Sequence, residues 1–82
     1  MLKRWIVTVV DTEETADGKA RIIGVYLDKK TATDKIKKDM DGFIKCAGDM
    51  ELDTNYNKMS IQSKDGKYGC EWNVEEVLIP EE

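Results

Sequence analysis

Hydrophobic and polar positions along the chain pass from a strand period to a helical one and back. Lys3 to Val10 is dense in β-branched and aromatic residues and fits no helical period, which predicts a strand. Trp5, Val7 and Val9 fall on one face of it, and Ile6 and Val10 flank Thr8 on the other. A strand apolar on both sides is central in its sheet or covered twice. The polar stretch Asp11 to Lys19 ends in Asp17-Gly18, and such a pair supplies the positive φ of a tight turn. Ala20 to Leu27 then alternates as a second strand, which forms an antiparallel hairpin with the first.

From Ala32 the spacing becomes helical. Ala32, Ile36, Met40, Phe43, Ile44 and Ala47 form a stripe roughly 120° wide, the signature of a helix lying on a sheet. Asp28 is the expected N-cap, with Thr31 as a second candidate, and Gly48 suits the C′ position. Gly42 lies inside the pattern, where glycine weakens a helix and is expected to kink it or end it early. Gly48 to Asn57 reads as a loop. Lys58 to Ser63 reads as a third strand, Lys64 to Lys67 as a turn, and a fourth strand begins at Tyr68. An Asp65-Gly66 turn sets Ser63 against Tyr68, Ile61 against Cys70 and Met59 against Trp72. The large apolar residues then share one face. Alternation breaks at Glu75-Glu76, where a β-bulge is expected, and Pro80 ends the pairing.

The predicted fold is α+β: two antiparallel β-hairpins forming a four-stranded sheet, with one helix packed on a face, in the order β-β-α-β-β. Its 82 residues make a single domain. A chain this short buries only about 60% of its unfolded surface. One helix is available for two apolar sheet faces, so the second face calls for a partner or for a second copy of the chain, a possible homodimer.

Composition removes most chemistry. The chain has no His and two Cys, Cys46 and Cys70. The usual zinc sets cannot be assembled, and neither can Ser–His or Cys–His nucleophile pairs. No catalytic, cofactor or metal residue is assigned, and an enzyme is not expected. Both cysteines are expected as packed thiols. No run of residues is long enough for a membrane span or a signal-peptide core, so the expectation is a cytoplasmic protein that engages no membrane.

Charge is unevenly distributed. The helical segment carries six lysines (Lys29, Lys30, Lys35, Lys37, Lys38, Lys45) and three aspartates (Asp34, Asp39, Asp41), a net +3; with −4 for the whole chain, the remainder carries −7. The acids of the first turn, Asp11, Glu13, Glu14 and Asp17, fail the calcium-loop pattern, because positions six and twelve from Asp11 are Ala16 and Ile22. Together with Glu75 and Glu76 they are the candidate contact residues for a protein partner with a basic surface. The helix lysines offer an alternative, a nucleic-acid-binding accessory protein. Interleaved aspartates and the overall negative charge weigh against nucleic acid as partner.

Trp5 to Val10 as an opening strand, then Ile23-Gly24-Val25-Tyr26-Leu27-Asp28-Lys29-Lys30 followed by Ala32 and Ile36, and finally Trp72-Asn73-Val74-Glu75-Glu76-Val77-Leu78, give a layout that resembles small uncharacterised proteins of bacteriophages and Gram-positive mobile elements. The resemblance spans about half the positions and its motifs are structural. It implies an accessory protein, and some proteins of that class inhibit host defence systems, including CRISPR effectors, by binding them. The function expected is therefore a small acidic, non-enzymatic protein-binding module, an inhibitor or accessory factor acting on a host protein; a structural homodimer is a further alternative. Reversing Asp11, Glu13, Glu14 and Asp17 to Lys is expected to weaken partner binding in a titration while the circular dichroism spectrum stays unchanged. Undiminished affinity would remove the first turn from the contact surface.

Overall fold

The computed structural model describes residues 1–12 and 17–80. Its elements are β1 (Leu2–Asp11), β2 (Ala20–Tyr26), α1 (Lys29–Ala47), β3 (Leu52–Asn55), β4 (Ser60–Ser63) and β5 (Gly69–Ile79). The class is α+β, as the periodicity predicts, but the sheet has five strands rather than four, ordered β2-β1-β5-β4-β3 and antiparallel throughout. The additional strand, β3, lies in the segment read as a loop. Its sequence, Leu-Asp-Thr-Asn, has one apolar residue and no alternation. Pairing with β4 makes it a strand, from Leu52 opposite Ser63 to Asn55 opposite Ser60.

The helix determines the topology. At 19 residues it is about 28 Å long, enough to carry the chain from the β2 edge across four strand spacings, roughly 19 Å, to the β3 edge. The β3-β4-β5 meander then returns and sets β5 beside β1. Asp28 caps the helix, its carboxylate accepting from the Thr31 N–H at 2.7 Å. Gly48 ends it at φ +62°, a conformation open to glycine at little cost. Gly42 neither kinks nor stops the helix. It lies on the exposed side with open space around it, and packing of the opposite face carries the helix through.

β1 and β5 pair without interruption from Leu2 opposite Ile79 to Asp11 opposite Cys70. The bulge expected at Glu75-Glu76 is therefore absent from this pair. Among the described residues, the register shifts instead in the β1–β2 pair, between Val7 and Thr8, where Val7 faces Gly24 and Thr8 faces Ile22. Ile23 is the extra residue, and the bulge turns it toward the core. Next to it, a side chain at Gly24 would run into the Tyr26 ring, which lies over it. The β4–β5 hairpin has the predicted register, with Ile61 opposite Cys70 and the Trp72 N–H donating to the Met59 carbonyl at 2.8 Å. Met59 itself sits outside β4 at φ +53°, a region that side chains other than Asn and Asp seldom occupy.

The core lies between α1 and one sheet face. Val7 and Val9 of β1, Ile61 of β4 and Trp72 of β5 pack against Ala32, Ile36 and Met40. Phe43 meets Trp72 edge-to-face at 6.3 Å between ring centroids. The Lys29 ammonium lies 5.9 Å from the Trp5 ring centroid. Cys70 packs at the margin of this core, whereas Cys46 is exposed on the helix, contrary to the packed thiol expected there. The described helix is not long and apolar enough to cross a membrane. Ile36 is 1% exposed and Leu27 is 72% exposed. Ile36→Ala is expected to lower stability by about 2–5 kcal/mol and Leu27→Ala by less than about 0.5 kcal/mol in urea unfolding. Equal losses would contradict a core on this face.

Candidate protein-contact face

Side chains alternate across each strand, so the register assigns two faces. The helix side takes Trp5, Val7, Val9, Cys70, Trp72 and Val74. The opposite side takes Leu2, Arg4, Ile6, Thr8 and Val10 of β1, Ile22 and Val25 of β2, and Glu71, Asn73, Glu75, Val77 and Ile79 of β5. No described element covers that second face. It is split in character. The part on β2, β1 and the end of β5 is apolar, and Ile22 and Val25 remain 68% and 54% exposed. The part on β5, β4 and β3 is polar and acidic, with Glu71 opposite Ser60 and Asp53 opposite Gln62.

Strands β3, β4 and β5 contain Asp53, Glu71, Glu75 and Glu76 and no Lys or Arg. Asp53, Glu71 and Glu75 share the uncovered face and are exposed. Glu76, one residue on, projects to the helix side and pairs with Lys3 at 3.4 Å.

Of the six residues selected from the sequence, the four that are described, Asp11, Asp17, Glu75 and Glu76, lie apart from one another except for the adjacent glutamates. Asp11, at the end of β1, accepts from the Arg21 guanidinium at 3.1 Å and from the Cys70 thiol at 3.4 Å. Its charge is thus already balanced within the chain. Asp17 accepts from the Lys19 backbone N–H at 2.9 Å, the bond of a side chain that shapes its own turn. Glu13 and Glu14 lie outside the described residues. Glu75 is opposite Ile6, five positions from the Asp11 pairing, so roughly 17 Å separates them along the strands. Glu71 and Asp53 are the members of the acidic strip that the sequence reading missed. The signal for Glu71 was its alternation with Cys70 and Trp72; Asp53 carried none until β3 was recognised as a strand.

Titratable groups with displaced affinities are explained by local bonds. The Thr31 N–H holds the Asp28 carboxyl below its usual range. The Ser63 hydroxyl, donating at 2.6 Å, and the Lys67 N–H do the same for Asp65. The Asp39 carboxylate raises Lys35, and the bond to Asp41 raises Tyr56. An open groove of about 720 Å³ runs between α1 and the β3–β4 connection, lined by Ile36, Met40 and Met59 with Asp34, Lys37 and Tyr56. No set of three or more potential metal-ligating side chains converges among the described residues. No protein-family model matches the chain, and no curated protein or solved structure matches it.

Because the folded-state affinity of Asp65 for protons is depressed, its contribution is complete above the ordinary carboxylate range and lost as pH falls through the lowered value. Asp65→Asn is expected to start with a lower urea midpoint at neutral pH and to lose less of it between about pH 5 and pH 2 than the parent chain. Parallel pH curves would show that the Ser63–Asp65 bond contributes nothing to acid sensitivity.

Proposed function

We propose that this chain is a small acidic, non-enzymatic protein-binding module that uses the acidic strip of its uncovered sheet face to engage a partner with a basic surface. The observation that carries the reading is the run of β3, β4 and β5 with four carboxylates and no cation, three of them on one exposed face. Charges of one sign on a rigid sheet attract a complementary surface over a distance and speed encounter, an effect that weakens with salt. The strip extends the candidate surface beyond the first turn, in which Asp11 is bound by Arg21. Glu75 is common to both versions of the site.

The narrower role, a phage or mobile-element inhibitor or accessory protein acting on a cytoplasmic host defence protein, rests on the resemblance of Trp5–Val10, Ile23–Lys30 and Trp72–Leu78 to proteins of that kind. The nucleic-acid alternative is less favoured. Lys30 and Lys35 are engaged by Asp34 and Asp39 at 3.2 and 2.9 Å, and Lys29 lies against Trp5, which leaves fewer cations for phosphate.

The test is capture of a host protein on the immobilised chain, its identification, and calorimetric titration of the purified pair. Combined Asp53→Lys, Glu71→Lys and Glu75→Lys is expected to weaken binding at least about tenfold, and the parent association rate is expected to fall steeply with salt. All three positions are exposed, so the circular dichroism spectrum should be retained. Unchanged affinity in the folded triple variant would remove the strip from the proposal.

A further inference from the structure

Apart from Glu75, which borders both, the apolar part of the uncovered face is not used by the acidic strip. Leu2, Ile6, Val10, Ile22, Val25 and Ile79 lie on it in three adjacent strands. Two of them are more than half exposed. Contiguous apolar surface of this kind marks an interaction site. Three strands over the length Leu2 to Val10 span roughly 14 by 27 Å, about 400 Å² in projection, an area in which Arg4, Thr8, Glu71, Asn73 and Glu75 are set among the apolar residues.

The edges of the sheet are protected in a way that this face is not. The β2 edge is interrupted by the bulge at Ile23, and the β3 edge is four residues long and carries Asp53. Both devices discourage edge-to-edge growth. The uncovered face lacks a comparable obstacle, and its charges carry both signs. Arg4 is opposite Val77, and Glu75 is opposite Ile6, so the two are diagonal neighbours two positions apart. Arg4 donates to the Lys3 carbonyl, and among the described residues neither Arg4 nor Glu75 has an ion-pair partner.

We propose that a second copy of this chain covers this patch, forming a two-fold, face-to-face dimer. A two-fold interface must be complementary to itself. An axis passing between Arg4 and Glu75 brings each arginine to Glu75 of the partner subunit and lays the apolar strands over one another. A basic or an acidic partner would satisfy one of the two charges and leave the other facing its like; a second copy satisfies both. The area per copy lies below that of a standard interface, and the acidic strips at the rim repel one another. The dimer therefore dissociates in the micromolar range and is not obligate.

Sedimentation velocity from about 1 to 500 μM tests this directly. The expected result is a concentration-dependent shift from monomer to dimer. Combined Ile22→Lys and Val25→Lys, at exposed positions, is expected to abolish the shift with an unchanged circular dichroism spectrum. Arg4→Glu alone and Glu75→Arg alone are each expected to weaken dimerisation about tenfold, and the double exchange to restore it. A parent chain that stays monomeric throughout, or a folded Ile22→Lys/Val25→Lys variant that still dimerises, would overturn the proposal. So would a double exchange no better than the single ones. The acidic strip is tested by heterologous binding of a folded Asp53→Lys/Glu71→Lys variant, which leaves Arg4 and Glu75 in place, so the two proposals fail on separate measurements.

Discussion

The uninterrupted antiparallel pairing of β1 with β5 sets the limits within which the rest of the molecule is arranged. Ten successive residue pairs keep one register, and in a strand a register assigns every side chain to a face. Val7 and Val9 of β1, with Trp72 and Val74 of β5, are thereby directed to the helix. Ile6 and Val10, with Val77 and Ile79, are directed away from it. A single slip would exchange the two sets and bring Arg4 and Glu75 beneath α1, at the cost of burying charges. The helix can satisfy only one face, and the pairing leaves the other apolar where β1 and β2 lie and acidic where β5, β4 and β3 continue it.

Irregular features lie where this frame meets its neighbours. The bulge at Ile23 allows β2 to deliver an extra apolar residue to the core while Ile22 stays outside. Gly24 makes room for the Tyr26 ring. At the other side, Met59 adopts a left-handed conformation just before β4, with its carbonyl held by the Trp72 N–H. Ser63, 3% exposed, accepts from the Tyr68 N–H and donates to Asp65, so a buried hydroxyl is satisfied by the turn that follows it. Local side-chain bonds thus join the short strands to the long pair without adding apolar area.

Electrostatic polarity in the chain has a structural counterpart, though not the one that composition suggests. Asp11 and Asp17, close in sequence, are engaged within their own hairpin by the Arg21 guanidinium and the Lys19 N–H. Acids far apart in sequence, Asp53, Glu71 and Glu75, are brought to one face by strand pairing. The helix lysines, which dominate the positive charge, are partly engaged by aspartates one turn away. Surface ion pairs of this type contribute little to stability, but they reduce the charge available to an outside ligand.

Periodicity alone determined the α+β class, the extent of α1 between Asp28 and Gly48, its inward stripe of Ala32, Ile36 and Met40, and the register of the Ile61–Cys70 hairpin. Each of these depends on contacts a few residues apart or on a repeat that one element displays by itself. Only the tertiary structure decided that Leu52–Asn55 is a strand, that Glu75-Glu76 continues one without a bulge, and that β5 lies between β1 and β4. It also decided which acids meet. Those outcomes depend on backbone hydrogen bonds between segments distant in sequence. A strand as polar as β3 acquires its conformation from its neighbour, and an out-of-phase pair such as Val77 and Ile79 needs no correction when the face it reaches is itself apolar.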